Sequence, residues 1–301
     1  MSDATLPGPS LFSRLFEAIK PVLPRRLRGD IPIVPVVRLT GIIGFSTPLK
    51  PGLTLAGVAR ALERAFSTRH ARAVALQINS PGGSPVQSHL IFRRIRQLAE
   101  EKGLRVFAFI EDAGASGGYM IACAADEIIC DISSIVGSIG VVGGGFGFDK
   151  LIEKIGVERR LYTSGENKAM LDPFLPEKPE DVKRLKQIQS EIHEAFIGLV
   201  KERRGAKLAG PEKTLFSGEY WTGPTAVELG VADATGDLRS FLRERYGEEV
   251  VTPVVAPERG FFARRLRGME SAADLIAAHP GWAEDVVSAL EARAMWSRYG
   301  L

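Results

Sequence analysis

Short apolar runs rich in β-branched residues alternate with amphipathic stretches of helical spacing along most of this chain. The apolar runs predict strands at Ile33–Leu39, Ala73–Ile78, Val106–Ile110 and Glu127–Asp131. The amphipathic stretches between them predict helices at Leu55–Phe66 and Val86–Glu101. A helix between successive strands returns the chain to the same end of the sheet, so the strands run parallel. We therefore predict an α/β fold built on a parallel sheet.

The alternation continues into the second half of the chain and defines one large body, which we assign to residues 31–256. It predicts a short helix at Tyr119–Ala125, a strand at Val136–Val142, a helix at Lys150–Ile155, a strand at Arg159–Tyr162, a long helix at Pro179–Arg204, helices at Thr222–Leu229 and Leu238–Tyr246, and a strand at Val250–Val255. Residues 1–30 are predicted to form a disordered start and a basic amphipathic helix. Residues 257–301 are predicted to form a basic linker and a helical segment.

Composition excludes several classes of protein. With 301 residues and 45% hydrophobic content, the chain has enough apolar side chains for a large core. Its formal net charge of +3 indicates no nucleic-acid partner. Cys123 and Cys130 lie in apolar patterns without metal-ligand neighbours, so we expect buried thiols, no disulfide framework, no metal and no cofactor.

The N-terminal region shows no membrane span. No apolar run reaches the ~18–20 residues that a transmembrane helix needs, and no secretory signal is recognisable, so we expect a cytoplasmic protein. Residues 11–28 instead combine an apolar helical stripe with five cations. This stripe is typical of a helix lying in a membrane interface, here on the inner face of the membrane, but it also fits packing against the domain or a neighbouring subunit.

Two glycine-rich loops follow predicted strands. The sequence Gly-Ala-Ser-Gly-Gly-Tyr places Ser116 before a short helix, whose N-terminus offers free N–H groups to a developing oxyanion. Gly117 keeps the backbone beside Ser116 unobstructed. The turn at Gly82 and Gly83 can likewise donate N–H groups to a substrate carbonyl, as an oxyanion hole requires. The plainer interpretations are a serine helix cap and an ordinary strand–helix turn.

A lysine is the candidate base. No histidine lies between His89 and His193, so the usual partner of a serine nucleophile is missing from this stretch. Lys168 follows a predicted strand in a glycine-containing loop. A solvated lysine, with a pKa of ~10.4, stays protonated at neutral pH, whereas burial lowers that pKa. Lys168 is therefore either a buried base or an ordinary loop residue, and Ser138 and Ser164 are either its hydrogen-bond partners or turn residues.

Four motifs follow one another along the chain. They are Asn-Ser-Pro-Gly-Gly ending at Gly83, Ala-Ser-Gly-Gly-Tyr around Ser116, Gly-Ser-Ile-Gly-Val around Ser138 and Ser-Gly-Glu-Asn-Lys ending at Lys168. In order and spacing they resemble the signal peptide peptidase A family, including its SohB-like members, and the resemblance covers roughly residues 33–246. It implies a Ser/Lys peptidase on the ClpP/crotonase-like fold of repeated ββα units. In that reaction Ser116 is the nucleophile and Lys168 the general base.

The resemblance also implies how the site works. Gly82, with the N–H of Ser116 or Gly117, would form the oxyanion hole. The substrates would be extended, apolar peptides, such as signal-peptide-like or membrane-derived fragments, cleaved without ATP through an acyl-enzyme by a ring-like homo-oligomer. Many family members carry an N-terminal transmembrane anchor that is not matched here, so we expect the peptidase chemistry without the membrane-anchored role. Two alternatives share the fold: a crotonase-like acyl-CoA enzyme and a non-catalytic scaffold.

If residues 11–28 lie in a membrane interface, the protein sediments with anionic liposomes at low salt and is released at high salt. The reason is that each basic residue near an anionic surface contributes about 1 kcal/mol, a term that salt screens. Deleting residues 1–28 should abolish sedimentation while activity on a soluble peptide survives. Equal recovery in the supernatant with and without liposomes would favour packing on protein.

Overall fold

The computed structural model describes residues 31–44, 52–255 and 293–300. The predicted helix at residues 11–28 and most of the predicted segment 257–301 lie outside these residues. The described part thus covers most of the body predicted at residues 31–256, together with a short C-terminal stretch.

Strands and helices alternate along the described residues. The strands are β1 (Val36–Thr40), β2 (Ala73–Ser80), β3 (Arg105–Ala115), β4 (Glu127–Cys130), β5 (Ile135–Gly137), β6 (Tyr220–Trp221) and β7 (Ala234–Thr235). The helices are α1 (Leu55–Phe66), α2 (Pro85–Lys102), α3 (Gly117–Ala122), α4 (Asp149–Lys154), α5 (Pro179–Arg204), α6 (Glu212–Leu215), α7 (Gly223–Glu228) and α8 (Leu238–Tyr246). Residues 293–297 form a further helical turn.

The sheet is parallel along its main path. Its strands lie in the order β1-β2-β3-β4-β7, and each neighbouring pair is parallel. The short strand β5 pairs in parallel with the end of β3, and β6 pairs antiparallel with β5. The helices α1 and α2 connect β1 to β2 and β2 to β3. This arrangement confirms the predicted α/β fold, and it is consistent with a ClpP/crotonase-like architecture.

Apolar side chains cover both faces of the sheet. On one face, α1 contributes a buried stripe at i, i+3, i+4 and i+7 spacing, formed by Val58, Ala61, Leu62 and Ala65. On the other face, Phe107 and Phe109 of β3 meet the ring of Phe241 of α8, with ring centroids 5.5 and 5.6 Å apart. The central strands are therefore buried on both sides, as their nearly continuous apolar sequences require.

The two cysteines are buried, unpaired thiols, as predicted. Burial raises the pKa of the Cys123 thiol to about 12 and the pKa of the Cys130 thiol to about 11. Because the thiolate is the reactive form of cysteine, neither thiol is activated as a nucleophile. Both side chains act as small apolar groups in the core.

Besides β5, which ends at Gly137 where the prediction extended to Val142, two predicted strands need correction. Residues Arg159–Tyr162 form no strand, because they are exposed and no described strand lies beside them to pair with their backbone groups. Residues Val250–Val255 form only isolated bridges, to Ile33 and Val36, instead of a regular strand. β-Branched composition predicted an extended backbone at both places, but pairing decides whether a strand forms.

A buried arginine anchors the C-terminal end of α5. Arg204 is 2% exposed and donates from Nη1 to Asp233 Oδ2 at 2.6 Å and from Nη2 to the Gly230 carbonyl at 2.7 Å. Asp233 also accepts from Lys207 Nζ at 2.6 Å and from the N–H of Ile128 at 2.7 Å. Burial opposes ionisation of Asp233, but these hydrogen bonds outweigh it, so the pKa of the Asp233 carboxyl is lowered. The network ties α5 to β4 and to the segment before β7.

Asp233→Ala is expected to lower the free energy of unfolding by about 3 kcal/mol, because it leaves Arg204 buried without its counter-charge. In thermal unfolding, the midpoint at pH 7 should fall by about 6–12 °C. The lowered pKa means that the native contribution is complete above the ordinary aspartate pKa of ~3.9 and is lost as pH falls through the folded-state pKa. The difference from wild type should therefore narrow only in acid.

A matched control is Glu212→Ala in α6, which breaks the solvent-exposed ion pair between Glu212 and Lys201. Lys201, like Arg204, belongs to α5. That change should cost at most about 1 kcal/mol. Equal losses from the two variants would contradict an anchoring role for Asp233.

Candidate active site

The carboxyl ends of β2 and β3 lie side by side at one edge of the sheet. Ser80, the last residue of β2, is in register with Gly114 of β3, just before Ser116. The turn at Gly82 and Gly83 and the serine loop therefore leave the sheet at the same edge. Ligands of open α/β sheets bind at this edge.

Ser116 has a constrained backbone at the junction of β3 and α3. Its φ is 52° and its ψ is −119°, a region that residues with a side chain rarely adopt. Its N–H donates to the Gly137 carbonyl at 2.8 Å. Although Ser116 stands at the N-cap position of α3, its side chain accepts no capping hydrogen bond. The helix-cap interpretation is therefore not supported, and the hydroxyl is left for contacts in the cleft.

Glycines allow the two turns to approach each other. A Cβ atom at Gly82, whose φ is 106°, would lie 2.8 Å from Ser116 Cβ. A Cβ atom at Gly118 would lie 2.6 Å from the Ser80 carbonyl oxygen, and one at Gly117 would collide with Ser88 Oγ. Any larger side chain at these positions would push α3 away from β2. The glycines predicted to keep the backbone close therefore do so at Ser116 itself.

The backbone N–H groups around Ser116 differ in their partners. The N–H of Gly82 donates to Ser80 Oγ at 3.2 Å. In contrast, no hydrogen bond between described residues uses the N–H of Gly83, or that of Gly117 at the start of α3. Of the predicted oxyanion residues, Gly83 and Gly117 thus have N–H groups available for a substrate, whereas the N–H of Gly82 is already engaged.

A cleft of about 590 Å³ opens beside Ser116. It is lined by the turn after β2, by Ser138 and residues 140–142, by His193 of α5, and by part of the C-terminal stretch. Ser138 is 7% exposed, and its N–H donates to the Glu219 carbonyl at 2.6 Å. The volume suits a peptide segment of a few residues or another small ligand.

His193 is a cleft residue that the sequence analysis missed. Its Nε2 lies 3.0 Å from the Ile139 carbonyl oxygen, and because a carbonyl oxygen only accepts, Nε2 is the donor of this bond. His193 shares a helix face with the buried residues Phe196 and Val200, at i, i+3 and i+7 spacing. This apolar stripe is the signal that places His193 against the body of the protein.

Lys168 does not reach the cleft in the described chain. Lys168 and Ser164 are exposed residues in a run of bends and turns, and neither lines the cleft. The backbone N–H of Lys168 donates to the Gly165 carbonyl at 3.3 Å, and its side chain makes no hydrogen bond or ion pair with another described residue. The structure therefore brings Ser116 and Ser138 to one cleft, with Lys168 and Ser164 elsewhere.

Comparison with known proteins gives relatives of two kinds. Residues 99–248 match Peptidase family S49. The chain is 55% identical over 289 residues, 94% of its length, to a protein of Brucella abortus (strain 2308) named Na(+)/H(+) antiporter NhaA, but it spans only 39% of that protein. It is 31% identical over 188 residues to the putative protease slr0021 of Synechocystis sp.. This alignment covers 62% of this chain and 67% of the Synechocystis protein. It is also 34% identical over 181 residues to the chloroplastic serine protease SPPA of Arabidopsis thaliana. That alignment covers 59% of this chain and 26% of the Arabidopsis protein.

A solved structure gives a more distant match. A mutant of the 1510-N membrane-bound stomatin-specific protease covers 76% of this chain and 95% of its own, with 16% identity and a TM-score of 0.42. Within the described residues, every helix is too short or too polar to cross a membrane. By its identity with the Synechocystis protein and its match over residues 99–248, this chain belongs to peptidase family S49.

Proposed function

We propose that this protein is a serine endopeptidase in which Ser116 is the nucleophile and Lys168 the general base. The observation that carries the proposal is the geometry of Ser116. Its uncapped hydroxyl lies at a helix N-terminus on a constrained backbone, beside the N–H groups of Gly83 and Gly117, which donate to no other described residue. Acyl transfer requires such a nucleophile and such donors. Membership of a peptidase family supports the same reaction.

The reaction proceeds in two halves. Ser116 Oγ attacks the peptide carbonyl carbon as the neutral amine of Lys168 takes the hydroxyl proton, and the N–H groups of Gly83 and Gly117 hold the oxyanion. The C–N bond then breaks, the Lys168 ammonium protonates the leaving amine, and the acyl group stays on Ser116. Water attacks this ester with Lys168 again as the base, which releases the acid and restores the serine. No step consumes a nucleotide, so cleavage is independent of ATP.

The lining of the cleft favours extended, apolar peptides. Pro81, Pro85, Val141 and Val142 contribute apolar surface to it. Among the described lining residues, only Arg298 carries a permanent charge. A basic peptide segment would lose its hydration here without gaining a counter-charge from the described lining residues. We therefore infer signal-peptide-like or membrane-derived fragments as the substrates.

Lys168 belongs to a segment with much exposed apolar surface, residues 141–177, which we call the arm. Helix α4 in the arm has no buried residue. The side chains of Phe146 and Tyr162 are 80% and 91% exposed, and Val142, Leu151, Ile155 and Val157 are also more than half exposed. Exposed apolar side chains at this density mark a protein interface. We infer that a second copy of this chain covers the arm.

Such an interface also explains how the dyad is completed. We propose that the arm of one copy carries Lys168 to the cleft of its neighbour, since Lys168 is exposed in the single chain and the cleft lacks a lysine among its described lining residues. Burial in the interface favours the neutral amine that the base step needs. A head-to-tail contact of this kind closes into a ring when the rotation between copies allows it.

Other predictions stay untested by the structure. The proposed membrane contact involves residues 11–28, which lie outside the described residues. The cytoplasmic location also stays a prediction. The acyl-CoA enzyme and the scaffold keep the same fold, but neither would acylate Ser116. A fluorophosphonate probe therefore separates both alternatives from the peptidase.

Ser116→Ala should abolish hydrolysis of a fluorogenic apolar peptide, and Lys168→Ala should lower kcat by about 10²–10⁴-fold because it removes the general base. Lys168→Arg should be equally impaired, since a guanidinium does not give up its proton. The double variant should be no worse than Ser116→Ala, because the two residues act as one unit. His193→Ala is the matched control in the same cleft and should retain most of the activity. Full activity in Lys168→Ala together with loss in His193→Ala would reassign the base to His193.

Co-expression of Ser116→Ala with Lys168→Ala tests whether the dyad forms between copies. With equal amounts and random assembly, ~25% of the sites combine an intact serine with an intact lysine from the neighbour, so activity should return to about a quarter of wild type. Co-expression of Ser116→Ala with the double variant should recover nothing and serves as the control. An inactive mixture in which an affinity tag on one variant also recovers the other variant would place the base in the same chain as the serine.

A further inference from the structure

The C-terminal stretch of the chain returns to the cleft that contains Ser116. Residues 293–297 form a helical turn, and three side chains at or just after it line the same cleft: Met295, Arg298 and Tyr299. These residues are remote in sequence from the β2 turn and from the serine loop. The cleft is therefore partly filled by a peptide segment of the protein itself.

Tyr299 makes the specific contacts of this segment. Its Oη donates to the Pro81 carbonyl oxygen at 3.3 Å and lies 3.3 Å from Ser138 Oγ. Its ring packs edge-on against Tyr220, with the ring centroids 5.0 Å apart. The Tyr220 hydroxyl in turn donates to the carbonyl of Arg298 at 3.1 Å. One side chain and one backbone carbonyl of the segment thus have defined partners.

These partners are the groups that flank the nucleophile. Pro81 lies two residues before Gly83, whose N–H we assign to the oxyanion hole, and Ser138 follows Gly137, whose carbonyl accepts the N–H of Ser116. A peptide substrate that passes Ser116 must run between these two segments. Tyr299 and a substrate side chain therefore compete for the same space.

We propose that residues 293–300 act as a built-in competitive inhibitor of the peptidase site, with Tyr299 as the anchor. The inference rests on the proposed function, because it assigns a regulator to that same cleft. Its contacts are few, and hydrogen bonds of this kind are individually weak. Tethering compensates for this weakness, since a linked segment is presented at an effective concentration on the order of mM. Arg298 and Gly300 are exposed, so the segment lies over the cleft and can leave it without disturbing the core.

Tyr299→Ala in the full chain is expected to lower KM for a fluorogenic apolar peptide by at least about threefold with kcat unchanged, because the apparent affinity rises as the competent, open fraction rises. Tyr299→Phe keeps the ring contact with Tyr220 and loses the hydroxyl, so it should give an intermediate KM. Arg293→Ala is the control within the same segment, since Arg293 is exposed and does not line the cleft. Unchanged KM in Tyr299→Ala, or an equal change in Arg293→Ala, would overturn the proposal.

A binding measurement separates this inference from the peptidase activity. A fluorescent peptide of residues 293–301 should bind the full-length Ser116→Ala, Tyr299→Ala protein in an anisotropy titration. The same peptide carrying Tyr299→Ala should bind more weakly, and the full chain with native Tyr299 should bind the native peptide less tightly because its own segment competes. This readout needs no catalysis, so binding without peptidase activity would sink the proposed function and leave residues 293–300 as a segment that occupies the cleft but inhibits no peptidase. Peptidase activity with equal binding of the two peptides would overturn the inhibitor proposal and keep the proposed function.

Discussion

The close approach of two backbone turns, at Gly82 and at Ser116, is the constraint on which the rest of the site depends. Parallel pairing of β2 and β3 sets the ends of the strands side by side, and glycine at positions 82 and 118 lets α3 begin against the Ser80 carbonyl. The next residue, Tyr119, is fully buried and donates its hydroxyl to the Val231 carbonyl at 2.9 Å. The position of Ser116, the proposed nucleophile, is thus fixed from the sheet on one side and from the segment after α7 on the other.

The sequence predicted the elements whose signals are local. Helices α1, α5 and α8 have the bounds that their patterns predicted, because apolar spacing and end signals agree at each. The N–H of Gly57 is capped by Thr54 Oγ1 at the start of α1, and two N–H groups are capped by Asp237 at the start of α8. The glycines and Ser116 were also predictable, since their loops join a strand to a helix and need close backbone approach.

Features that depend on distant contacts escaped the sequence. Strand β3 continues beyond the predicted Ile110 to Ala115, because β5 supplies a partner for its last residues. His193 reaches the cleft because α5 passes close to the segment after β5, where His193 contacts the Ile139 carbonyl, a placement that no motif records. Lys168 was singled out by its motif, but the single chain leaves it exposed and away from the cleft, and in our proposal a second copy brings it to Ser116. Tyr299 gave no signal at all, as its contacts lie with Pro81, Ser138 and Tyr220.

The parts of the site therefore fall into two physical classes. The proposed nucleophile and its proposed N–H donors lie at the buried edge of the sheet, where packing holds them in one geometry. The proposed base and the proposed inhibitor lie on the arm and on the C-terminal stretch, which have few buried contacts of their own. Segments of low local stability move at little energetic cost, whereas moving the residues at the sheet edge would disrupt packed core contacts. If assembly delivers Lys168 while substrate displaces Tyr299, a single unassembled chain has a formed nucleophile but no base and a blocked cleft. The fold can then hold a strained serine permanently in place, because activity depends on what reaches the serine.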